Sequence, residues 1–117
     1  MSEGLALLGA AITLGLGLLG LLRPDAAAAF TSMQPVGLLG RAEIRATYGG
    51  FFAALGVVCL VAREPLAFAV VGIAWLGAAA GRLLSVGLDA SREPKNFGGI
   101  LFEGAIGGLL LAPWWLG

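Results

Sequence analysis

The sequence has little of the side-chain chemistry on which most enzymes and metal sites depend. Histidine is absent, which removes the commonest metal ligand, most general-base schemes and histidine-ligated haem. The one cysteine, Cys59, cannot form an internal disulfide, and its apolar neighbours predict a small buried side chain. The formal net charge is +0, so a nucleic-acid partner has no electrostatic support. We therefore predict no metal site, no cofactor and no nucleic-acid partner.

Charge is also scarce, and apolar residues take its place. Charged residues make up 12% of the chain, against about a quarter in a soluble domain. Hydrophobic residues make up 59%, so the surface must meet something other than water. A helix that crosses the hydrocarbon core needs about 20 mostly apolar residues. Four stretches reach this length, at about residues 4–22, 42–62, 66–88 and 97–116.

These four stretches predict an all-α fold with one domain over residues 1–117, an integral membrane bundle of four antiparallel transmembrane helices. Only residues 63–65 link the second and third helices, and a short polar loop at residues 89–96 follows the third. Residues 26–30 predict a short interfacial helix in the longer first link. Because residues 1–3 carry no basic side chain, we expect the first run to be retained rather than cleaved as a signal peptide.

Basic side chains set the predicted orientation. The loops after the first and third helices carry Arg23, Arg41, Arg92 and Lys95. The opposite side carries Arg63 alone. Because lysine and arginine are retained in the cytoplasm, we expect both of those loops to be cytoplasmic and both termini to lie outside. Trp114 and Trp115 then suit the outer interfacial belt.

Glycine is abundant, with 20 residues. Several small residues stand four positions apart, which places both members of a pair on one helix face and lets backbones approach closely. The pairs are Gly49 with Ala53, Gly77 with Gly81, and Gly104 with Gly108. Such faces serve either the internal bundle, which we favour, or self-association.

Four charged residues fall inside the predicted spans: Glu43, Arg45, Arg82 and Glu103. A charge near the bilayer centre costs at least about 2.5–3.5 kcal/mol, so each needs a partner or water. The topology puts Arg45, Arg82 and Glu103 at similar depth in the cytoplasmic half, and we predict one polar layer there. Arg41 and Arg45 are like charges at i,i+4, which repel unless a carboxylate or an anion lies between them.

Helical spacing adds neighbours to this layer. Arg45 shares a face with Tyr48, and Arg82 shares one with Trp75 and Asp89. Trp75 lies near the middle of its span, where it either fills a core gap or walls a pocket capped by Arg82. The candidate binding residues are therefore Arg45, Tyr48, Trp75, Arg82, Glu103, Glu43 and Asp89. No residue is assigned a catalytic role.

Residues 43–50, E-I-R-A-T-Y-G-G, resemble the hallmark of a bacterial family of small four-helix membrane proteins, domain of unknown function 4345. Gly81 and Arg82 before the loop that contains Asp89, and Glu103 early in the last helix, also match in order. The resemblance covers nearly the whole chain, and the family is DoxX-like in size and topology. It implies a four-helix fold in the bacterial inner membrane with a polar layer, but no activity.

Two functions fit these features best. The first is an accessory or scaffold subunit of a larger membrane complex, with membrane lipids as its other partners. The alternative is a binding protein for an anionic or amphipathic hydrophobic molecule, such as a lipid or a quinone-like compound, in a pocket between the second, third and fourth helices. An enzyme that uses Glu103 as acid or base is disfavoured, because no nucleophile or cofactor motif accompanies it. A transporter would have to dimerise, because four helices are few for that architecture.

Overall fold

The computed structural model describes residues 1–117 and contains helices and turns but no β-strand. The helices are α1 (Ser2–Leu22), α2 (Pro24–Phe30), α3 (Gly37–Ile44), a π-helix (Arg45–Phe51), α4 (Phe52–Ala62), α5 (Pro65–Leu88), α6 (Pro94–Leu110) and α7 (Ala112–Trp115). The all-α prediction is therefore confirmed. Three of these helices begin with a proline, whose missing N–H costs nothing at a first helical position.

Three helical segments are long and apolar enough to cross a membrane: Ser2–Leu22, Gly37–Ala62 and Pro65–Leu88. They support the assignment of the chain to a membrane, and two of them coincide with the predicted first and third spans. The second begins at Gly37 rather than near residue 42, because α3, the π-helix and α4 run on without a break. The predicted short helix after the first span is also present, as α2.

The fourth predicted span, residues 97–116, is not one continuous helix. α6 starts earlier, at Pro94, so the preceding loop is shorter than predicted, and it ends at Leu110. Pro113 is the physical reason for the end, because its ring cannot donate a hydrogen bond to the carbonyl four residues back and clashes with it. The chain turns at Leu111 and then forms the short helix α7.

The chain divides into two compact units, and the first comprises Ala10–Ala62. In it the second half of α1 packs against the π-helix and α4 through backbone-to-backbone contacts. A Cβ atom added to Gly17 would lie 2.2 Å from the amide nitrogen of Ala53, and one added to Gly20 would lie 2.2 Å from the carbonyl oxygen of Tyr48. The contact of Gly56 with Leu14 continues the same pattern. Because the residue numbers rise along one helix as they fall along the other, the two are antiparallel.

The second unit comprises Met1–Gly9 and Arg63–Gly117. Its helices α5 and α6 are antiparallel and approach most closely at glycines. A Cβ on Gly72 would lie 3.1 Å from the carbonyl oxygen of Gly107, and one on Gly107 would lie 2.9 Å from that of Gly72. At one end of this unit the Arg63 guanidinium pairs with the Glu3 carboxylate. At the same α5 terminus the indole N–H of Trp114 donates to the carbonyl of Pro65 over 3.0 Å.

The small-residue pairs differ in their surroundings. Gly49 is buried against the backbone of Gly20 and Leu21, and its partner Ala53 lies against Gly17, so this pair serves internal packing as favoured. The other two pairs do not: a Cβ atom added at Gly77, Gly81, Gly104 or Gly108 would meet nothing within 4 Å. Internal packing of α5 on α6 uses Gly72 and Gly107 in their place.

Candidate functional site

The best-defined polar site joins the last turns of α5 to the first and middle turns of α6. The Nε atom of Arg82 donates to Oε1 of Glu103 over 2.7 Å, and this ion pair links residues from the two helices. Glu103 is only 8% exposed, while the Arg82 side chain is about a third exposed. Because a carboxylate is costly to bury alone, the arginine that neutralises it is the reason that it can lie inside.

Two further residues of α6 hold Arg82 in position. Asn96, Gly99 and Glu103 are spaced i, i+3 and i+7, so they share one helix face. Arg82 Nη1 donates to the side-chain oxygen of Asn96 over 3.3 Å. The guanidinium crosses α6 at Gly99, where a Cβ atom would lie 2.9 Å from Arg82 Cζ and Nε. The missing side chain at Gly99 therefore makes room for Arg82 to reach Glu103.

Hydrogen bonds extend this site into the connecting loop. Asn96 donates from Nδ2 to the carbonyl of Ser91 over 2.9 Å. The Ser91 hydroxyl lies 2.7 Å from that of Ser85, which donates to Oδ2 of Asp89 over 2.9 Å. We call the six residues Arg82, Ser85, Asp89, Ser91, Asn96 and Glu103 the α5–α6 network. No buried side-chain nitrogen or oxygen in the chain lacks a hydrogen-bond partner, so the buried polar atoms of the network are all satisfied.

Arg45 has a partner of another kind. Its Nη1 donates to the backbone carbonyl of Leu21, in the last turn of α1. The final carbonyls of a helix have no partner within the helix and carry partial negative charge, so a guanidinium there is favourable. Sequence reasoning expected a carboxylate or an anion beside Arg45 and missed this contact. The sequence does contain a signal for this contact. The first apolar run ends at Leu22, so the unpaired carbonyls at the end of that helix lie near the start of the second span.

The motif at residues 43–50 coincides with the π-helix, Arg45–Phe51. The hydrogen bonds of a π-helix run from i to i+5, which widens the turn, and such segments are rare and frequent at functional sites. Within this motif, Tyr48 packs against a small core of Ala27, Ala28 and Ile44.

The remaining predicted site residues have different environments. Glu43 is exposed and has no ion-pair partner, whereas Trp75 is buried. Asp89 is exposed and belongs to the α5–α6 network through Ser85. Among the residues of the predicted polar layer, the structure therefore brings Arg82 and Glu103 into contact. The layer as a whole, and the pocket between three helices, stay predictions.

The first unit holds an ion pair of its own, between Arg41 and Asp25. Arg41 Nη1 donates to both carboxylate oxygens of Asp25, each over 2.7 Å. Asp25 lies in the first turn of α2, where a negative charge also suits the helix dipole. A carboxylate is thus present beside one of the two like charges, Arg41 and Arg45. No group of three histidine, cysteine or carboxylate side chains that could hold a metal ion is present.

The chain belongs to the family described as Domain of unknown function (DUF4345), which matches residues 2–116. The match includes the motif on the π-helix and the residues of the α5–α6 network, and it confirms the resemblance drawn from them. No curated protein and no solved structure matches the chain. Because the family description gives no activity, function has to be argued from the residues themselves.

Proposed function

We propose that this member of a family of unknown function is an accessory or scaffold subunit of a larger membrane complex. In this proposal the chain forms a single bundle of four antiparallel transmembrane helices, DoxX-like in size and topology. It performs no chemistry of its own, and its outer helix faces hold partner helices in place.

The fourth crossing in this proposal consists of α6 followed by α7. A helix over residues 94–115 would be about 33 Å long at the α-helical rise, which matches a hydrocarbon core of about 30 Å. Charge is confined to the beginning of this segment, apart from Glu103, whose charge Arg82 neutralises. The turn at Leu111 is compatible with a crossing, because transmembrane helices tolerate proline where neighbouring groups bond the freed carbonyls.

The location in this proposal is the bacterial inner membrane, with both termini in the periplasm. It rests on the distribution of basic residues. Arg23 and Arg41 lie between α1 and the π-helix, and Arg92 and Lys95 follow α5, whereas the other side has Arg63 alone. The exposed indoles of Trp114 and Trp115 at the end of α7 suit the interfacial belt opposite the cytoplasm.

One observation favours a scaffold over a binding or catalytic protein. Three of the four charges in the predicted spans are engaged within the protein: Arg82 with Glu103, and Arg45 with the end of α1. In contrast, the glycine faces of α5 (Gly77, Gly81) and α6 (Gly104, Gly108) are open. Open small residues in a bilayer allow another helix to approach closely, which is how helices associate when lipid cancels the hydrophobic effect.

Extraction of the tagged protein from native membranes in a mild detergent tests the proposal. We expect it to migrate in a species clearly larger than the free chain, together with other membrane proteins. Gly77→Leu fills the open face of α5, and we expect this variant to leave the complex while it stays folded. Gly15→Leu is the matched control, because Gly15 is also open but lies on α1. Wild-type protein that migrates only as a small free species contradicts the proposal.

A further inference from the structure

We propose that the junction between α1 and α2 binds the phosphate of an anionic phospholipid headgroup. The site consists of three side chains, which we call the junction arginines: Arg23, Arg41 and Arg45. The inference does not depend on the proposed scaffold function, because it concerns a different part of the chain and a different partner.

Contacts within the first unit bring two of the junction arginines, Arg41 and Arg45, to residues 21–25, and Arg23 belongs to that segment itself. Arg45 donates to the carbonyl of Leu21, at one end of this window. Arg41 donates to the carboxylate of Asp25, at the other end, over 2.7 Å. Arg23 stands between these two positions in the chain, and it is exposed and makes no side-chain capping hydrogen bond. Residues distant in sequence are thus gathered around one short, solvent-accessible segment.

The positive charge of this cluster is only partly compensated. Asp25 offsets one of the three arginines, and the C-terminus of α1 contributes roughly half a negative charge, which leaves about +1.5. Glu43 does not correct the balance, since it is two residues from both Arg41 and Arg45 and so lies on the other side of α3. Arg41 and Arg45 each have N–H donors that their single partners do not occupy, and the Arg23 side chain makes no capping hydrogen bond.

Position and geometry identify the anion. Arg23 directly follows Leu22, the last residue of a helix long enough to cross a membrane. Side chains at that point reach the level of the lipid phosphates. The planar fork of arginine suits a phosphate bidentately, and basic clusters directly beside a span attract anionic lipids.

The test measures binding of a fluorescent phosphatidylglycerol analogue to the full chain in phosphatidylcholine nanodiscs. Because a basic side chain at the headgroup that it binds contributes about 1 kcal/mol, we expect Arg23→Gln to weaken binding about fivefold. Arg23 has no capping role, so this change leaves the helices intact. Arg45→Lys keeps the charge at the end of α1 but removes the fork, and we expect weaker discrimination between phosphatidylglycerol and phosphatidylcholine.

Arg92→Gln is the matched control, since Arg92 is also exposed but lies in the loop after α5. We expect it to bind the analogue as the wild type does. Equal binding by the Arg23→Gln and Arg92→Gln variants overturns the proposal. A competition with inorganic phosphate distinguishes a lipid headgroup from free phosphate as the ligand. We expect inorganic phosphate, at concentrations comparable to the lipid, not to displace the fluorescent analogue. Displacement at those concentrations would mean that the site binds free phosphate instead.

Discussion

Arg82 and Glu103 are 21 residues apart in the chain, and their side chains meet over 2.7 Å between Nε and Oε1. Glu103→Leu would leave the guanidinium facing α6 without a carboxylate. Loss of one member of a largely buried pair costs about 3 kcal/mol, and we expect a decrease in the free energy of unfolding of this size. Unfolding in mixed detergent and sodium dodecyl sulfate, followed by circular dichroism, measures it.

The double variant Arg82→Met with Glu103→Leu is the control for this prediction. A buried ion pair can often be replaced by apolar residues at little cost, so we expect the double variant to be close to the wild type in stability. If the two single effects simply add, the side chains act independently and the pair does not link α5 to α6 energetically.

Gly99→Ala tests the passage of Arg82 across α6. The new Cβ atom would lie 2.9 Å from Arg82 Cζ, so the guanidinium must move away from Glu103. We expect a loss of about 1 kcal/mol, which is at the lower end for overpacking because a long side chain can yield. Gly98→Ala, where a Cβ atom meets nothing within 4 Å, should instead stabilise the helix slightly. In an Arg82→Met background we expect the effect of Gly99→Ala to change sign, and an unchanged effect would contradict this account.

Gly17→Ala tests the close approach of α1 to the start of α4. Its Cβ atom would lie 2.2 Å from the backbone nitrogen of Ala53, and backbone cannot yield as a side chain can. We expect the helices to separate and the free energy of unfolding to fall by about 3 kcal/mol. Gly15→Ala, two residues earlier and open, is the paired variant and should not destabilise the protein. Equal thermal stability of the two variants would show that the contact is not tight.

Ala90→Gly should stabilise the end of α5. Ala90 follows the cap residue Asp89 and has a φ of +55°, in the left-handed region that favours glycine. Relief of this strain is expected to raise the free energy of unfolding by about 1 kcal/mol. Ala80→Gly, at an exposed position inside the same helix, should lower it by about 1 kcal/mol. Thermal unfolding of both variants in one detergent gives the comparison, and a fall with Ala90→Gly would contradict the prediction.

Much of the fold could be predicted because apolar length and proline carry strong signals. The runs that became α1 and α5 have the length that a bilayer demands, and Pro65 marks the start of the second of them. The early end of α6 was also readable, since Pro113 cannot continue a helix. Treating residues 97–116 as one unbroken span gave too little weight to that proline.

Other features lie beyond single-sequence reasoning. The π-helix Arg45–Phe51 has no distinct composition, so a helical pattern alone does not reveal it. The partner of Arg45 is a backbone carbonyl, which every residue has, and only tertiary structure selects Leu21. Glycine spacing identified faces capable of close packing, but it could not separate Gly72, which packs, from Gly77, which is open. The pairing of Arg82 with Glu103 was within reach because intramembrane charges need partners.

The central claim is that the open face of α5 contacts another membrane protein. Site-specific photo-crosslinking in native membranes tests it most directly, with a photoreactive side chain at position 77 and the same group at the open Gly15 for comparison. The account predicts a covalent adduct with a different protein from position 77 and none above background from position 15. Adducts from position 77 with lipid alone, or only with a second copy of this chain, would contradict it.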